Sequence, residues 1–229
     1  MTANPLNDMC GIFGATNFND FERLYAKNKI RGTFAHGFIY IKRNGATCVK
    51  RGPGARSLTG EYAWQHQLQY DMFAGHTQSP TSSVRDYDET TSHPFETDNF
   101  IVSHNGVLEN HLDLAKQHEI PISDVNVDSK IIPMLLDNMY VGSDVLVIQE
   151  VCNMLKGIFS CWIYCKPTKL LYVVRNGSTL YTDANKSKFT SLKYGDADQE
   201  IEQGHILCFT SEGLTTVGEF TPSNPFFIF

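Results

Sequence analysis

The hydrophobic period changes twice along this chain, and that pattern constrains the fold more than any other feature. Between residues 108 and 157 apolar side chains recur at helical spacing, whereas on either side they gather in short β-type runs. Leu108, Leu112 and Ala115 mark an expected helix over 109–119, and Ile131, Ile132, Leu135, Leu136 and Met139 mark a second. A third starts at Asp144, carries Val147, Ile148, Val151 and Leu155 as its stripe, and stops near Lys156-Gly157. Ahead of this block, 11–18 and 38–42 read as strands joined by a short helix that Asn19 or Asp20 caps and that runs through Lys29. Behind it, 158–165, 169–175, 189–192, 205–210 and 214–217 read as strands, with turns at Lys166-Pro167, Asn176-Gly177 and Glu212-Gly213. Helices grouped between two sets of strands imply a layered α+β fold with a largely antiparallel second half. Regular alternation, the signature of a doubly wound parallel sheet, is absent from the pattern.

A chain of 229 residues buries a sufficient core without disulfides or metals, and with no internal repeat or linker it reads as one domain after a short leader. The formal net charge of -6, with no run of Lys or Arg, leaves no electrostatic footprint for a phosphate backbone, so nucleic acid is not expected as a partner. No segment has the long uninterrupted apolar run of a membrane span, and residues 1–9 lack the basic start and apolar stretch of a secretory signal. A cytoplasmic protein follows. Its cysteines (Cys10, Cys48, Cys152, Cys161, Cys165, Cys208) are expected as free thiols, five of them in packing roles. Cys152, Cys161 and Cys165 lack zinc-ligand spacing, and Gly52, Gly54 and Gly60 lack a phosphate-loop pattern, so neither metal nor cofactor is expected.

Chemistry is concentrated in words that occur in one order. They are Cys10-Gly11-Ile12-Phe13-Gly14, Arg31-Gly32, Gly75-His76-Thr77, His104-Asn105-Gly106-Val107-Leu108-Glu109-Asn110-His111, Val127-Asp128-Ser129 and Arg175-Asn176-Gly177-Ser178. Taken singly, Cys10 reads as a small buried hydrophobe and Asn105-Gly106 as a hairpin turn. Taken together, the series resembles the glutaminase domain of class II glutamine amidotransferases. The H-N-G-V-L-E-N-H and R-N-G-S segments look most like that domain of glucosamine-6-phosphate synthase. The resemblance runs from Cys10 almost to the C-terminus and implies the four-layer αββα sandwich of N-terminal-nucleophile hydrolases over 10–229.

The resemblance also implies a mechanism. Cys10 becomes the first residue, and its own α-amine takes the thiol proton; an amine with pKa near ~8 is matched to a thiol near ~8.5. The thiolate attacks the side-chain amide of glutamine and a thioester is hydrolysed to glutamate. Asn105 and the Gly106 amide form the oxyanion hole, Arg31 holds the nucleophile's end of the chain, and Asp128 binds the ammonium group of glutamine. Asp128 also reads as a helix cap, a role that needs only one carboxylate oxygen. Thr81 and His93 line the pocket. Ammonia then passes to an acceptor synthase made as a separate chain, for which the apolar ending Pro225-Phe226-Phe227-Ile228-Phe229 offers a docking segment or, alternatively, a last core strand.

Two features depart from the resemblance. Where an arginine normally follows Gly-His-Thr and clamps the glutamine carboxylate, this chain has Gln78, and Arg85 is the candidate replacement. Residues 1–9 cover the required amine and must be removed, by cleavage of the Met9-Cys10 bond or by a start at Met9. Two other readings remain open at this point: an amidohydrolase of the same fold acting on another amide, and a catalytically silent binding or regulatory module.

Overall fold

Asn17 decides where the first strand ends. In the computed structural model, which describes residues 10–42, 44–45, 47–53, 70–79 and 88–223, Asn17 accepts the Asp20 N–H at 2.9 Å while its own amide donates to the Asp20 carboxylate at 2.9 Å. This reciprocal cap starts helix α1 (Phe18–Asn28) and closes strand β1 (Gly11–Ala15), so Phe18, expected in the strand, is helical. Asn19 and Asp20 are not the cap. The elements then follow as β2 (Ala35–Ile41), β3 (Thr47–Gly52), β4 (Met72–Gln78), β5 (Phe95–Glu96), β6 (Phe100–Leu108), α2 (His111–Gln117), α3 (Ile131–Met139) and α4 (Asp144–Met154). Seven strands complete the described chain: β7 (Gly157–Cys165), β8 (Leu170–Asn176), β9 (Tyr181–Thr182), β10 (Lys188–Thr190), β11 (Gln199–Glu200), β12 (His205–Thr210) and β13 (Gly213–Glu219).

The described residues fall into two compact units. The first draws on the described part of Met1–Pro94, on Thr179–Ile201 and on Thr210–Leu214. Its sheet has the strand order β11-β9-β10-β1-β4-β2-β3 and pairs antiparallel, with Phe13 opposite Gly75 and Phe38 also opposite Gly75. Phe18, Phe21, Leu24 and Tyr25 recur at helical spacing on α1 and pack on Phe13, Phe38, Tyr40 and Phe73 of the sheet. Space for these rings is made by glycine: a Cβ at Gly75 would lie 2.4 Å from the Phe13 ring. An aromatic to alanine change in such a core typically costs about 3–5 kcal/mol.

The second unit draws on Phe95–Ser178, Glu202–Phe209 and the described part of Thr215–Phe229. Its sheet has the order β13-β12-β8-β7-β6-β5, again antiparallel, and one face carries α2, α3 and α4. Phe100, Val102 and Leu108 of β6, with Cys161, Ile163 and Cys165 of β7, meet Ile131, Ile132, Leu135 and Leu136 of α3 and Val147, Ile148 and Val151 of α4. Of the expected α2 stripe, Ala115 is buried but Leu112 is exposed and Leu108 belongs to β6; Leu114 takes the buried position instead. Helix α4 stops at Met154, and Gly157 (φ 126°) opens β7 rather than ending the helix. Two α+β units built on antiparallel sheets agree with the fold class expected from the sequence.

Candidate active site

In the first unit the backbone at Cys10 is fixed by a buried arginine. Cys10 lies just ahead of β1, and its carbonyl accepts from Arg31 Nη1 at 3.1 Å. Arg31 Nη2 donates to Thr179 Oγ1 at 2.9 Å and to the Ser191 carbonyl at 3.1 Å, leaving its Nε without a partner. Burial lowers the pKa of this guanidinium, while a negative charge on Cys10 acts in the opposite sense and favours the cation. The shell continues with Ile12 N–H on Ser191 Oγ at 3.0 Å, Thr77 Oγ1 on the Asn28 carbonyl at 2.9 Å, and Asn28 Nδ2 on Thr190 Oγ1 at 2.9 Å. Only glycine fits beside it at position 11, because a Cβ there would stand 2.7 Å from Asn28 Oδ1 and 2.9 Å from Thr77 Oγ1.

The Arg31-Gly32 pair also has a backbone role. A Cβ on Gly32 would fall 2.2 Å from the Gln78 carbonyl, so the loop after α1 rests directly on the end of β4. Next to that contact the Cys10 Sγ lies 3.9 Å from the Ser79 carbonyl. Gln78 is buried in β4, and His76 of the same strand pairs with Ile12 and stacks on His93 with ring centroids 4.0 Å apart. His93 is seated by Gly37, where a Cβ would meet the His93 carbonyl at 2.0 Å. The first unit thus gathers Cys10, Arg31, Gln78 and, through His76, His93. Thr81 and Arg85 lie outside the described residues, as do residues 1–9 and 225–229.

In the second unit the candidate residues gather on β6. Asn105 sits inside this strand, not in a turn, and faces away from the helices. Its Nδ2 donates to Ser178 Oγ at 3.1 Å and approaches Ser160 Oγ, its cross-strand partner, at 3.5 Å. Gly106 follows with φ 147°, and a Cβ there would lie 1.9 Å from the Ile158 carbonyl. Glycine is obligatory at this step, while the pairing with β7 runs on unbroken through Gly106 opposite Phe159. Asp128 opens a 3-10 turn, Asp128–Lys130, after β6. Its Oδ2 accepts from the Leu108 N–H at 3.0 Å and its Oδ1 from the Ser129 N–H at 2.8 Å; both carboxylate oxygens are engaged by backbone, and the N-cap of the turn is Val127 rather than Asp128. Ser129 Oγ in turn bonds His104 Nδ1 at 2.8 Å, and burial lowers the His104 pKa, with Asp128 opposing.

Sequence reasoning singled out Arg175-Asn176-Gly177-Ser178 without giving its residues roles. Arg175 Nε donates to the Ser178 carbonyl, and Asn176 Nδ2 donates to the carbonyls of Gly157 and Ser223, both at 2.8 Å. The word is a clamp that presents Ser178 to Asn105. Cys152, Cys161, Cys165 and Cys208 are buried and unbridged, and burial raises their thiol pKa values. Among the described residues no group of three or more His, Cys, Asp or Glu is arranged to hold a metal ion. None of their helices is long and apolar enough to cross a membrane.

Solved structures carry the same architecture. Over 93% of its length the chain matches a glutamine phosphoribosylpyrophosphate amidotransferase from B. subtilis, with a TM-score of 0.70 at 17% identity and coverage of 49% of that chain. This is the fold of a class II glutamine amidotransferase domain. A glutamine aminotransferase class-II domain protein from Silicibacter pomeroyi shares the amidotransferase fold over its full length, with a TM-score of 0.58 at 15% identity. In sequence, the chain is 29% identical to a 7-cyano-7-deazaguanine synthase of Saccharolobus solfataricus, covering 91% of the chain and 50% of the relative. It is 24% identical to a glutamine–fructose-6-phosphate aminotransferase of Oceanobacillus iheyensis, covering 75% of the chain and 30% of the relative. The chain spans half or less of the length of these curated relatives. No protein-family model matches it.

Proposed function

We propose that this protein hydrolyses the side-chain amide of a glutaminyl substrate with Cys10 as nucleophile and delivers the ammonia to a separate acceptor synthase in the cytoplasm. Removal of residues 1–9 frees the Cys10 α-amine. That amine takes the thiol proton, and the thiolate adds to the amide carbonyl to form a carbon–sulfur bond. The Asn105 amide and the Gly106 N–H stabilise the resulting oxyanion, and Asp128 receives the substrate's ammonium group. As the tetrahedral intermediate collapses, the carbon–nitrogen bond breaks and the nitrogen leaves as ammonia with the proton held by the amine. Water, deprotonated by the same amine, then cleaves the thioester and restores the thiol.

The observation that carries this reading is the treatment of Cys10. Its carbonyl is held by a buried arginine at the head of a strand, whereas four other cysteines lie in a helix-covered apolar core. Supply of ammonia to an acceptor is supported by relatives that are at least about twice as long and are named as a synthase and an aminotransferase. The test is ammonia release from glutamine, asparagine and a panel of amides, comparing wild-type protein with Cys10→Ala. Glutamine turnover that vanishes in Cys10→Ala supports the proposal. Turnover of other amides alone selects a different amidohydrolase, and equal rates for the two proteins select a silent binding module.

A further inference from the structure

Resting on Cys10 as the nucleophile, we propose that Gln78 sets the substrate class. The site takes a glutaminyl group whose α-carboxyl is tied up as a neutral amide, as in a peptide or an amide cap, in preference to free glutamine.

Register supplies the first observation. β1 and β4 pair with Gly11 opposite Thr77 and Ile12 opposite His76, so one step further along the same register Cys10 stands opposite Gln78. The Thr77 hydroxyl points to the α1 side, where it meets the Asn28 carbonyl, and strand alternation then sends Gln78 to the other face, which Cys10 shares with Ile12. Side chains directly opposite on antiparallel strands have Cβ atoms about 4.5–5.5 Å apart. A substrate amide under attack by Cys10 Sγ therefore has Gln78 within reach of its remaining polar groups.

The second observation is what Gln78 offers there. The residue is 2% exposed and its Oε1 has no hydrogen-bond partner among the described residues. A buried acceptor left unmet costs stability that a ligand donor restores. Whichever way the amide is turned, a carboxamide presents a donor and an acceptor together. A ligand amide satisfies both in a two-bond pair. A ligand carboxylate satisfies only the donor, brings a charge, and sets its oxygens against the Oε1 lone pairs. The buried cation beside Cys10 gives little help, because Arg31 spends both terminal nitrogens on the Cys10 and Ser191 carbonyls and on Thr179. A neutral group at this point is bound at no charge cost, and a free carboxylate is not.

The experiment compares free L-glutamine with L-glutamine α-N-methylamide at equal enzyme, following ammonia and identifying the γ-deamidated acid by mass. The expected result for wild-type protein is kcat/KM higher by about tenfold or more for the methylamide, carried mainly by KM. Gln78→Arg should invert the ratio by lowering KM for glutamine. Gln78→Met, similar in size and without either hydrogen-bonding group, should erase the preference and keeps the test open if the arginine does not fold. Wild-type kcat/KM that favours free glutamine overturns the proposal, and so does a ratio that none of these substitutions moves. Failure of the parent reading looks different: neither substrate is turned over above the Cys10→Ala background, which removes this proposal with it.

Discussion

Cys10 and Cys161 are the same residue type in two opposite settings. Cys161 lies on β7 beneath the helices of the second unit, and burial pushes its thiol pKa well up, with Cys152 and Asp128 adding to the rise. Cys10 stands at the head of β1 with its carbonyl held by Arg31, a buried cation that a negative charge on Cys10 would favour. The comparison teaches that thiol chemistry in this protein is decided by what the neighbours do with charge. An apolar core keeps the Cys161 thiol neutral, whereas at Cys10 the backbone carbonyl is held by a buried cation.

The largest effect that sharpens this contrast should come from paired alanine variants. Cys10→Ala should lower ammonia release on the order of 10³-fold or more, while Cys161→Ala should leave the rate within about twofold and cost roughly 1 kcal/mol in urea unfolding. Equal losses from the two would break the comparison. Asn105→Ala removes a proposed oxyanion donor and should reduce kcat by about 10²–10³ with little change in KM, read from steady-state kinetics.

A third prediction moves from chemistry to backbone. Gly106→Ala places a methyl group against the Ile158 carbonyl at a positive φ, and urea unfolding should show a loss of about 3 kcal/mol. The smallest effect concerns pH. Because burial holds the His104 pKa below its unfolded value of about 6.5, the unfolded chain takes up protons that the folded chain refuses as the pH falls. The stability His104 contributes is complete above that value and is lost as pH drops through it toward the folded pKa. In urea melts between about pH 7 and about pH 5, His104→Asn should therefore flatten the decline seen in the wild-type protein.

The fold was legible wherever burial followed a single period. The helical stripe of α3 and the apolar runs of β7 and β12 gave elements within a residue or so of those observed. It was illegible where the strands carry chemistry. β4 and β6 hold Gly75, His76, Gln78, Ser103, His104 and Asn105 in buried positions, and these residues erase the alternation by which a strand is recognised. Asn105-Gly106 even has the local signature of a turn. The same residues that hid the strands marked the candidate site, so motif order was informative where periodicity failed. What neither signal supplied was the second layer: Asn28, Ser160, Thr179 and Ser191 act through tertiary hydrogen bonds, which are invisible in local sequence.

The central claim is that a sulfur and an amine of one residue work together at Cys10. Quenching turnover of a glutaminyl substrate in acid and mapping the trapped thioester by mass tests it most directly. The account predicts a peptide that begins at Cys10 and carries the acyl mass on that residue. An active protein that retains residues 1–9, or an acyl mass on any other cysteine, would contradict it.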